Sequence, residues 1–417
     1  MSTSTSTSTS TPTPNPPATS STPTAAATTA PALAAKKPPT KTPGQGILVP
    51  ASKVHTSVKT ELLNTLSQPE FTELSEGQRE AGRGRIPKLV GILATDKEDA
   101  ASYAEFTRKS CTSLGIQYEL RLVGAARKDQ GDQPGVEIGV EEAILEANEE
   151  DGVDGIMVYY PIHGGSRDQY LQQCVSPLKD VEGLHHQFLF NLYHNIRHIS
   201  PSTLRPIPAS HLPTSTVNTN ATEDPAPPGT VKSILPCTPL AIVKVLEFVG
   251  VYNKLLEWGD RARGKVITVI NRSEVVGRPL AALLANDGAR VLSVDIDSIV
   301  EFSKRPSTSE SHTSRYNPHH IMTPLPADYT LQDALRVSDV VISAVPHKDY
   351  KVKTEWLKDG CICVNVAGDK NFEADVRDKA SIYVPSVGQM TIAMLQRNLL
   401  RLRKYRNLMQ AQEESPF

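Results

Sequence analysis

The sequence has no run of about 18 apolar residues, the length a helix needs to span a bilayer, so no membrane span is expected. It has no excess of positive charge. Its 44 lysines and arginines face 46 aspartates and glutamates, a net charge of −2, which leaves no electrostatic footprint for a nucleic acid. Only five of the 417 residues are cysteine, an odd number without framework spacing. That argues against a disulfide scaffold and for reduced thiols inside a cell. Cys361-Ile-Cys363 lies within the apolar run ICVNV and reads as strand core. His185, His186, His194 and His198 lack the spacing and carboxylate setting of a metal site, so no metal is expected. Residues 1–45 lack acidic residues and arginine and are almost wholly Ser, Thr, Pro and Ala. They offer too little apolar surface to offset chain entropy and are expected to form a disordered tail. Without arginine or an amphipathic pattern they do not match a transit peptide, and a cytoplasmic location is expected.

What is present is organised around residues 265–297, KVITVINRSEVVGRPLAALLANDGARVLSVDID. Val266 to Ile270 is a β-branched run suited to a buried parallel strand. Pro279 suits a first helical turn, Leu280, Leu283 and Leu284 give an apolar face, and Gly288 is a C-terminal stop. Val291 to Val294 is the next strand. Strand, turn, helix and strand make half of a dinucleotide-binding unit. Its turn is Asn271, Arg272, Ser273, Glu274, Val275, Val276 and Gly277, with Arg278 opening the helix. Backbone N–H groups and the positive end of the helix dipole meet there, which suits a pyrophosphate. The usual G-x-G-x-x-G is absent, since Asn271 stands at a glycine position, and an ordinary α/β core unit fits the same pattern. Asp295 follows Gly277 by 18 residues. A carboxylate there accepts hydrogen bonds from both ribose hydroxyls of NAD and repels the extra phosphate of NADP. Asp297, beyond Ile296, is the alternative if the strand ends later.

Earlier in the chain, Val54 to Leu66 has helical spacing. Lys88–Thr95, Ile116–Val123 and Gly155–Ile162 read as strands. Between them, Asp96–Leu114 and Val136–Asn148 read as helices, the first with Tyr103, Phe106 and Cys111 near one face. Alternation of this kind implies a parallel sheet with helices outside and ligands beyond the strand C-termini, where Thr95, Tyr159, Tyr160 and Pro161 would face a cleft. Residues 200–230 and 304–328 read as loose insertions. A helix is expected from Leu240 to Val249, strands at Asp339–Val345 and Cys361–Val366, and a long helix after Val384, to about Met409.

Six stretches taken together, Tyr103 in its helix, YYPI, KDVEG, ILPCTP, INRSEVVGRP and VGQMTIAML, resemble the methylenetetrahydrofolate dehydrogenases, which include bifunctional dehydrogenase/cyclohydrolases. The likeness spans about residues 88–400 apart from the insertions and is nearest to the monofunctional NAD-dependent fungal type. It implies an α/β protein of two domains: a parallel α/β folate domain over 46–235, and a Rossmann-type NAD domain over 236–385. A C-terminal helix in 386–417 would return to the folate domain. It implies NAD as cofactor, 5,10-methylenetetrahydrofolate as substrate, and a homodimer. On this resemblance Ala344 and Val345, at the end of a later strand, and Thr391 of VGQMTIAML join the NAD site.

Several positions depart from the bifunctional pattern. Tyr-x-x-x-Lys has become Tyr103 to Thr107, four residues apart and so on one helix face. The glutamine of Gln-Leu-Pro has become Tyr159, KDVDG has become KDVEG, and Gln389 replaces a proline. Lys109, two residues past Thr107, is rotated by about 200° and should point away. The expected activity is therefore NAD-dependent oxidation of methylenetetrahydrofolate without cyclohydrolase activity. Tyr103 would stack on the folate or simply pack. Glu182 would hydrogen-bond the pterin, Asp180 would fix the turn, and Cys174 would line the site or lie buried in its helix. The alternatives are a bifunctional enzyme and a non-catalytic NAD-binding regulator.

Overall fold

The computed structural model describes residues 44–71, 85–127, 138–207, 226–304 and 319–414. Nearly all of the expected tail lies outside these residues, as do 208–225 and 305–318 of the two expected insertions.

Two sheets carry the chemistry, the smaller parallel and the larger parallel except at one edge. The smaller runs β3–β2–β4, where β2 is Lys88–Leu93, β3 is Gln117–Leu122 and β4 is Gly155–Val158. Side chains alternate across it. Leu89, Leu93, Met157 and Tyr159 face one core, whereas Val90, Ile92, Ile156 and Val158 face another. On the first face lies α2, Glu98–Ser113; on the second lie α3, Ile138–Glu149, and α4, Gly165–Cys174. The first helix, α1, is Ala51–Leu66. β4 ends at Val158 rather than Ile162, and Asp168 accepts from the N–H groups of Ile162 and His163 beyond it at 3.1 and 2.9 Å. Phe106 is not on the buried face of α2; Ala104, Thr107 and Cys111 are.

The larger sheet has the order β1–β13–β12–β11–β7–β8–β9–β10. Its centre is β7, Val266–Ile270, β8, Arg290–Val294, β11, Val340–Ser343, and β12, Ile362–Asn365. α7, Gly277–Asn286, joins β7 to β8, and α8, Leu331–Val337, precedes β11. Two edges were not foreseen. Ile47–Leu48, β1, pairs in parallel with β13, Ile382–Val384, so the start of the described chain completes the larger sheet. At the other edge β9, Ile299–Lys304, and β10, His320–Pro324, form an antiparallel pair, so part of the expected second insertion is strand. Phe302, fully buried, stacks on His320, and the Asn286 side chain accepts from the His320 N–H at 2.9 Å, which ties the hairpin down.

Between the sheets lie α5, His186–Tyr193, a short pair β5, His198–Ile199, and β6, Val231–Lys232, and α6, Cys237–Phe248. α6 begins at Cys237, earlier than Leu240, because Pro239 in the first turn costs no hydrogen bond. The last helix, α9, is Gly388–Glu414 and returns to the first sheet. Gln396 donates to Ser110 Oγ on α2, and Asn398 donates to the carbonyls of Val181 and Leu235, each at 2.9 Å. Arg403 and Arg406 each lie 3.2 Å from Asp154, which also takes Arg85 at 2.8 Å.

Candidate functional site

The cleft face of the small sheet gathers the first group of site residues. Tyr103 and Thr107 stand one turn apart on α2. Tyr103 meets Tyr159 edge-on, ring centres 6.2 Å apart at 85°. The Tyr159 and Tyr118 hydroxyls share a hydrogen bond of 2.8 Å. This pair fits because Gly91 of β2 lies beneath it: a Cβ there would overlap the Tyr118 hydroxyl. Thr107 is fully buried and donates to the Tyr103 carbonyl at 2.9 Å, with Tyr159 beside its hydroxyl. Burial pushes the Tyr159 phenol up to about 12 and raises Tyr103 further, with Cys237, Glu182 and Tyr159 adding to the rise in Tyr103.

Glu182 and Asp180 have different surroundings. Glu182 accepts from the Val158 N–H at 3.1 Å, and burial pushes its carboxyl up to about 8, helped by the charge of Asp180. Asp180 accepts from the N–H groups of Glu182, Gly183 and His185 at 3.0, 2.9 and 2.8 Å. Burial still raises it to about 6, and these three N–H groups hold its oxygens within the KDVEG loop. The loop is closed by Gly183, at φ +72°, where a Cβ would overlap the Leu235 backbone. Besides burial, the groups that raise Tyr103, Tyr159 and Glu182 are the acids Glu182 and Asp180, the Tyr159 phenol, and the thiols of Cys237 and Cys111. Lys109 is exposed and pairs with Glu105 at 3.4 Å, pointing away as its position on the helix requires.

Cys174 does not join this group. It packs with the core on the opposite face of the sheet, beside Tyr160 and Ile162, because α4 covers that face. The thiol near Tyr103 and Glu182 is Cys237, whose N–H donates to the Glu182 carbonyl at 3.0 Å. Burial and Glu182 raise its pKa well above the usual thiol range. Tyr118 and Cys237 were missed: Tyr118 lies on a different strand from Tyr159, and only the sheet register brings them together.

The second group surrounds the β7–α7 turn. Asn271 adopts φ +83°, the left-handed conformation that favours glycine, and its side chain donates to the Ala344 carbonyl at 2.7 Å. Asparagine thus takes the glycine place and also ties β7 to β11. At Gly277 a Cβ would overlap the Asn271 carbonyl oxygen, so the helix start is pressed against the turn. Ser273 Oγ accepts from the N–H groups of Val276 and Gly277 at 3.3 and 3.4 Å and acts as a cap. Arg272 donates to the Ser293 and Ser298 carbonyls at 2.6 and 2.9 Å, which holds its charge beside Asp295. Asp295 is exposed at the end of β8, and Ile296 and Asp297 are exposed with it. Glu274 and Arg278 pair with each other at 2.8 Å, Arg278 lying over the Tyr193 ring, and Val275 is exposed.

Across the turn, Ala344 and Val345 follow directly on β11. The buried Asn371 accepts from Ser343 Oγ and the Val345 N–H, both at 3.0 Å, and donates to the Val345 carbonyl at 2.9 Å. Asn365 in turn accepts from the Asn371 N–H at 2.8 Å and donates to Pro385 at 3.3 Å. Sequence reading missed these two asparagines, although Asn365, polar within the apolar run ICVNV, was a signal. Thr391 lies in the first turn of α9, its hydroxyl on the Val387 carbonyl. Among the described residues no group of three or more His, Cys, Asp or Glu side chains could hold a metal, and no helix is long and apolar enough to cross a membrane.

Comparison with known proteins agrees with this geometry. Residues 51–182 match the family described as tetrahydrofolate dehydrogenase/cyclohydrolase, catalytic domain. The chain is 46% identical over 320 residues to the methylenetetrahydrofolate dehydrogenase [NAD(+)] of Schizosaccharomyces pombe, covering 76% of this chain and 85% of that one. It is 44% identical over 364 residues to the protein of that name from Saccharomyces cerevisiae, covering 86% and 96%. The solved structure of the NAD-dependent 5,10-methylenetetrahydrofolate dehydrogenase from Saccharomyces cerevisiae superposes with a TM-score of 0.67 at 42% identity, covering 89% of this chain and all of that one. On these similarities the chain belongs to the methylenetetrahydrofolate dehydrogenase family, with the NAD-dependent dehydrogenases among its relatives.

Proposed function

We propose that this chain oxidises 5,10-methylenetetrahydrofolate to 5,10-methenyltetrahydrofolate with NAD, and does not hydrolyse the product. The observation that carries this reading is Thr107, which stands fully buried one turn from Tyr103, donates to the Tyr103 carbonyl at 2.9 Å and lies beside Tyr159. The NAD turn fits its ligand: Asn271 and Gly277 bring the backbone close, and Asp295 lies open at the strand end. When bound, NAD supplies a two-electron acceptor. Tyr103 offers a ring face to the folate, and Glu182 offers a carboxyl to the pterin. Asp295 accepts from the ribose hydroxyls, and its charge disfavours a 2′-phosphate. Val345 and Ala344, held by Asn371 and Asn271, would line the NAD site. Dehydrogenation of this substrate asks for positioning more than proton transfer, since the N10 lone pair drives the departure of the methylene hydrogen.

Hydrolysis asks for more: water attack and proton transfer, work worth about 10²–10⁴-fold from a placed acid–base group. Thr107 is neutral and donates into its own helix, so it cannot do this work. We also propose a cytoplasmic homodimer. The free thiols of all five cysteines suit a reducing compartment, and dimers are usual in the family. The test supplies methylenetetrahydrofolate with NAD and NADP in parallel and follows absorbance, then supplies methenyltetrahydrofolate and follows its decay. Turnover with NAD and uncatalysed decay are expected. Enzyme-dependent decay would make the protein bifunctional, and no turnover would overturn the assignment.

A further inference from the structure

A cavity of about 190 Å³ is lined by the C-terminal parts of α6 and α7 and by the middle of α9. α6 starts at Cys237 beside Glu182 and lines the cavity with Lys244 and Glu247. α7 starts at Gly277 and lines it with Leu283 and Asn286. α9 starts just before Thr391 and lines it with Arg397 and Arg401.

The lining is cationic in a chain of net charge −2. It contains Arg197, Lys232, Lys244, Arg261, Arg397 and Arg401. Three of these cations are paired, Lys244 with Glu247 and Arg197 with Asp287 at 2.8 Å and Arg397 with Glu61 of α1 at 3.2 Å, and Asp287 also takes the Tyr252 hydroxyl at 3.1 Å; the cations of the lining still outnumber its acids. One wall is flat and aromatic. The Arg261 guanidinium lies 3.5 Å from the centre of the Trp258 ring, and the Lys232 ammonium 5.8 Å from it. Leu240, Val243 and Leu283 supply the apolar side. Cations around an aromatic wall and an apolar side recognise one chemical class, a flat organic body bearing an anionic group.

We propose that this cavity is a second ligand site, which takes a compact aromatic anion and shifts the affinity of the catalytic cleft through α6 and α7. The proposal does not depend on which reaction the cleft performs. The protein has two tryptophans, so Trp356→Phe leaves Trp258 as the sole reporter. The full chain carrying Trp356→Phe is saturated with NAD and titrated with 1-anilinonaphthalene-8-sulfonate, with neutral N-phenyl-1-naphthylamine as control. The expected result is saturable quenching of Trp258, at least tenfold tighter for the sulfonate. Lys232→Gln should weaken it several-fold with an unchanged melting temperature. Arg261→Gln is the second variant, should Lys232→Gln lower the melting temperature. The sulfonate should also change the NAD dissociation constant by a factor that levels off at saturation. NAD must then change the sulfonate's affinity by the same factor. Equal binding of the neutral compound, no quenching, or quenching indifferent to both variants would overturn the site. A shift that grows without limit would mean competition in the NAD site and would overturn the coupling, as would binding with no shift.

Discussion

Glu182→Gln tests the electrostatics of the cleft most directly. Burial holds the Glu182 carboxyl at about 8, against an ordinary 4.5. The folded state therefore holds this proton more tightly than the unfolded state. Its contribution to stability is fully present below the unfolded pKa and is lost as pH rises through the folded one. Between pH 5 and 9 the loss approaches about 4 kcal/mol, at 1.36 kcal/mol per pKa unit. That is a ceiling, because water reaching the cleft solvates the carboxylate. Glutamine has the same shape, keeps an acceptor for the Val158 N–H and does not titrate. Asp180 titrates in both proteins and cancels to first order. The stability of the variant relative to the parent should therefore climb steadily from pH 5 to 9. Urea unfolding midpoints at pH 5, 7 and 9 measure this, and a difference constant across the three would refute the burial argument. Substrate affinity is read separately: if the pterin binds the carboxyl, the variant raises KM for the folate at pH 7 more than it lowers kcat.

Three further outcomes are expected. Gly277→Ala places a Cβ against the Asn271 carbonyl and must displace the turn, so NAD binding should weaken by about tenfold to a hundredfold in calorimetry, and unchanged affinity would refute the turn's role. Asp295→Ser should weaken NAD and relax discrimination against NADP by about tenfold, the worth of one charge-assisted hydrogen bond, read as the ratio of kcat/KM for the two cofactors. Asp154→Asn leaves the buried Arg403 without its carboxylate partner and should cost about 3–5 kcal/mol in denaturant unfolding; a change under about 1 kcal/mol would show that the cluster contributes nothing.

Local signals located the site unevenly. The turn from Asn271 to Gly277 was legible because its chemistry is contiguous: one strand, one cap and one helix start. Tyr103, Thr107, Tyr159 and Glu182 were legible through the resemblance, and helical periodicity placed the first two on one face. Cys174 packs in its helix on the other face of the sheet, the second of the two readings the sequence left open, since nearness in sequence to KDVEG says nothing about which side of a sheet a helix covers. The β9–β10 pair was hidden because His320 and Met322 give no apolar alternation; their partners are Lys304 and Phe302, on another segment.

The sequence by itself determined the alternation of strands and helices, the tight turn from Asn271 to Gly277 and the acid that follows the next strand. Each depends on residues within a few positions of one another, where propensity, capping and side-chain period act. Only the tertiary structure decided the rest. It brought Cys237 rather than Cys174 to Glu182, paired Tyr118 with Tyr159 above Gly91, and gave Asp180 to three backbone N–H groups while leaving Glu182 with one. The two acids of KDVEG are one residue apart and have similar intrinsic pKa values. What separates them is how many N–H donors the fold aims at each oxygen, and that count is set by how the loop is folded.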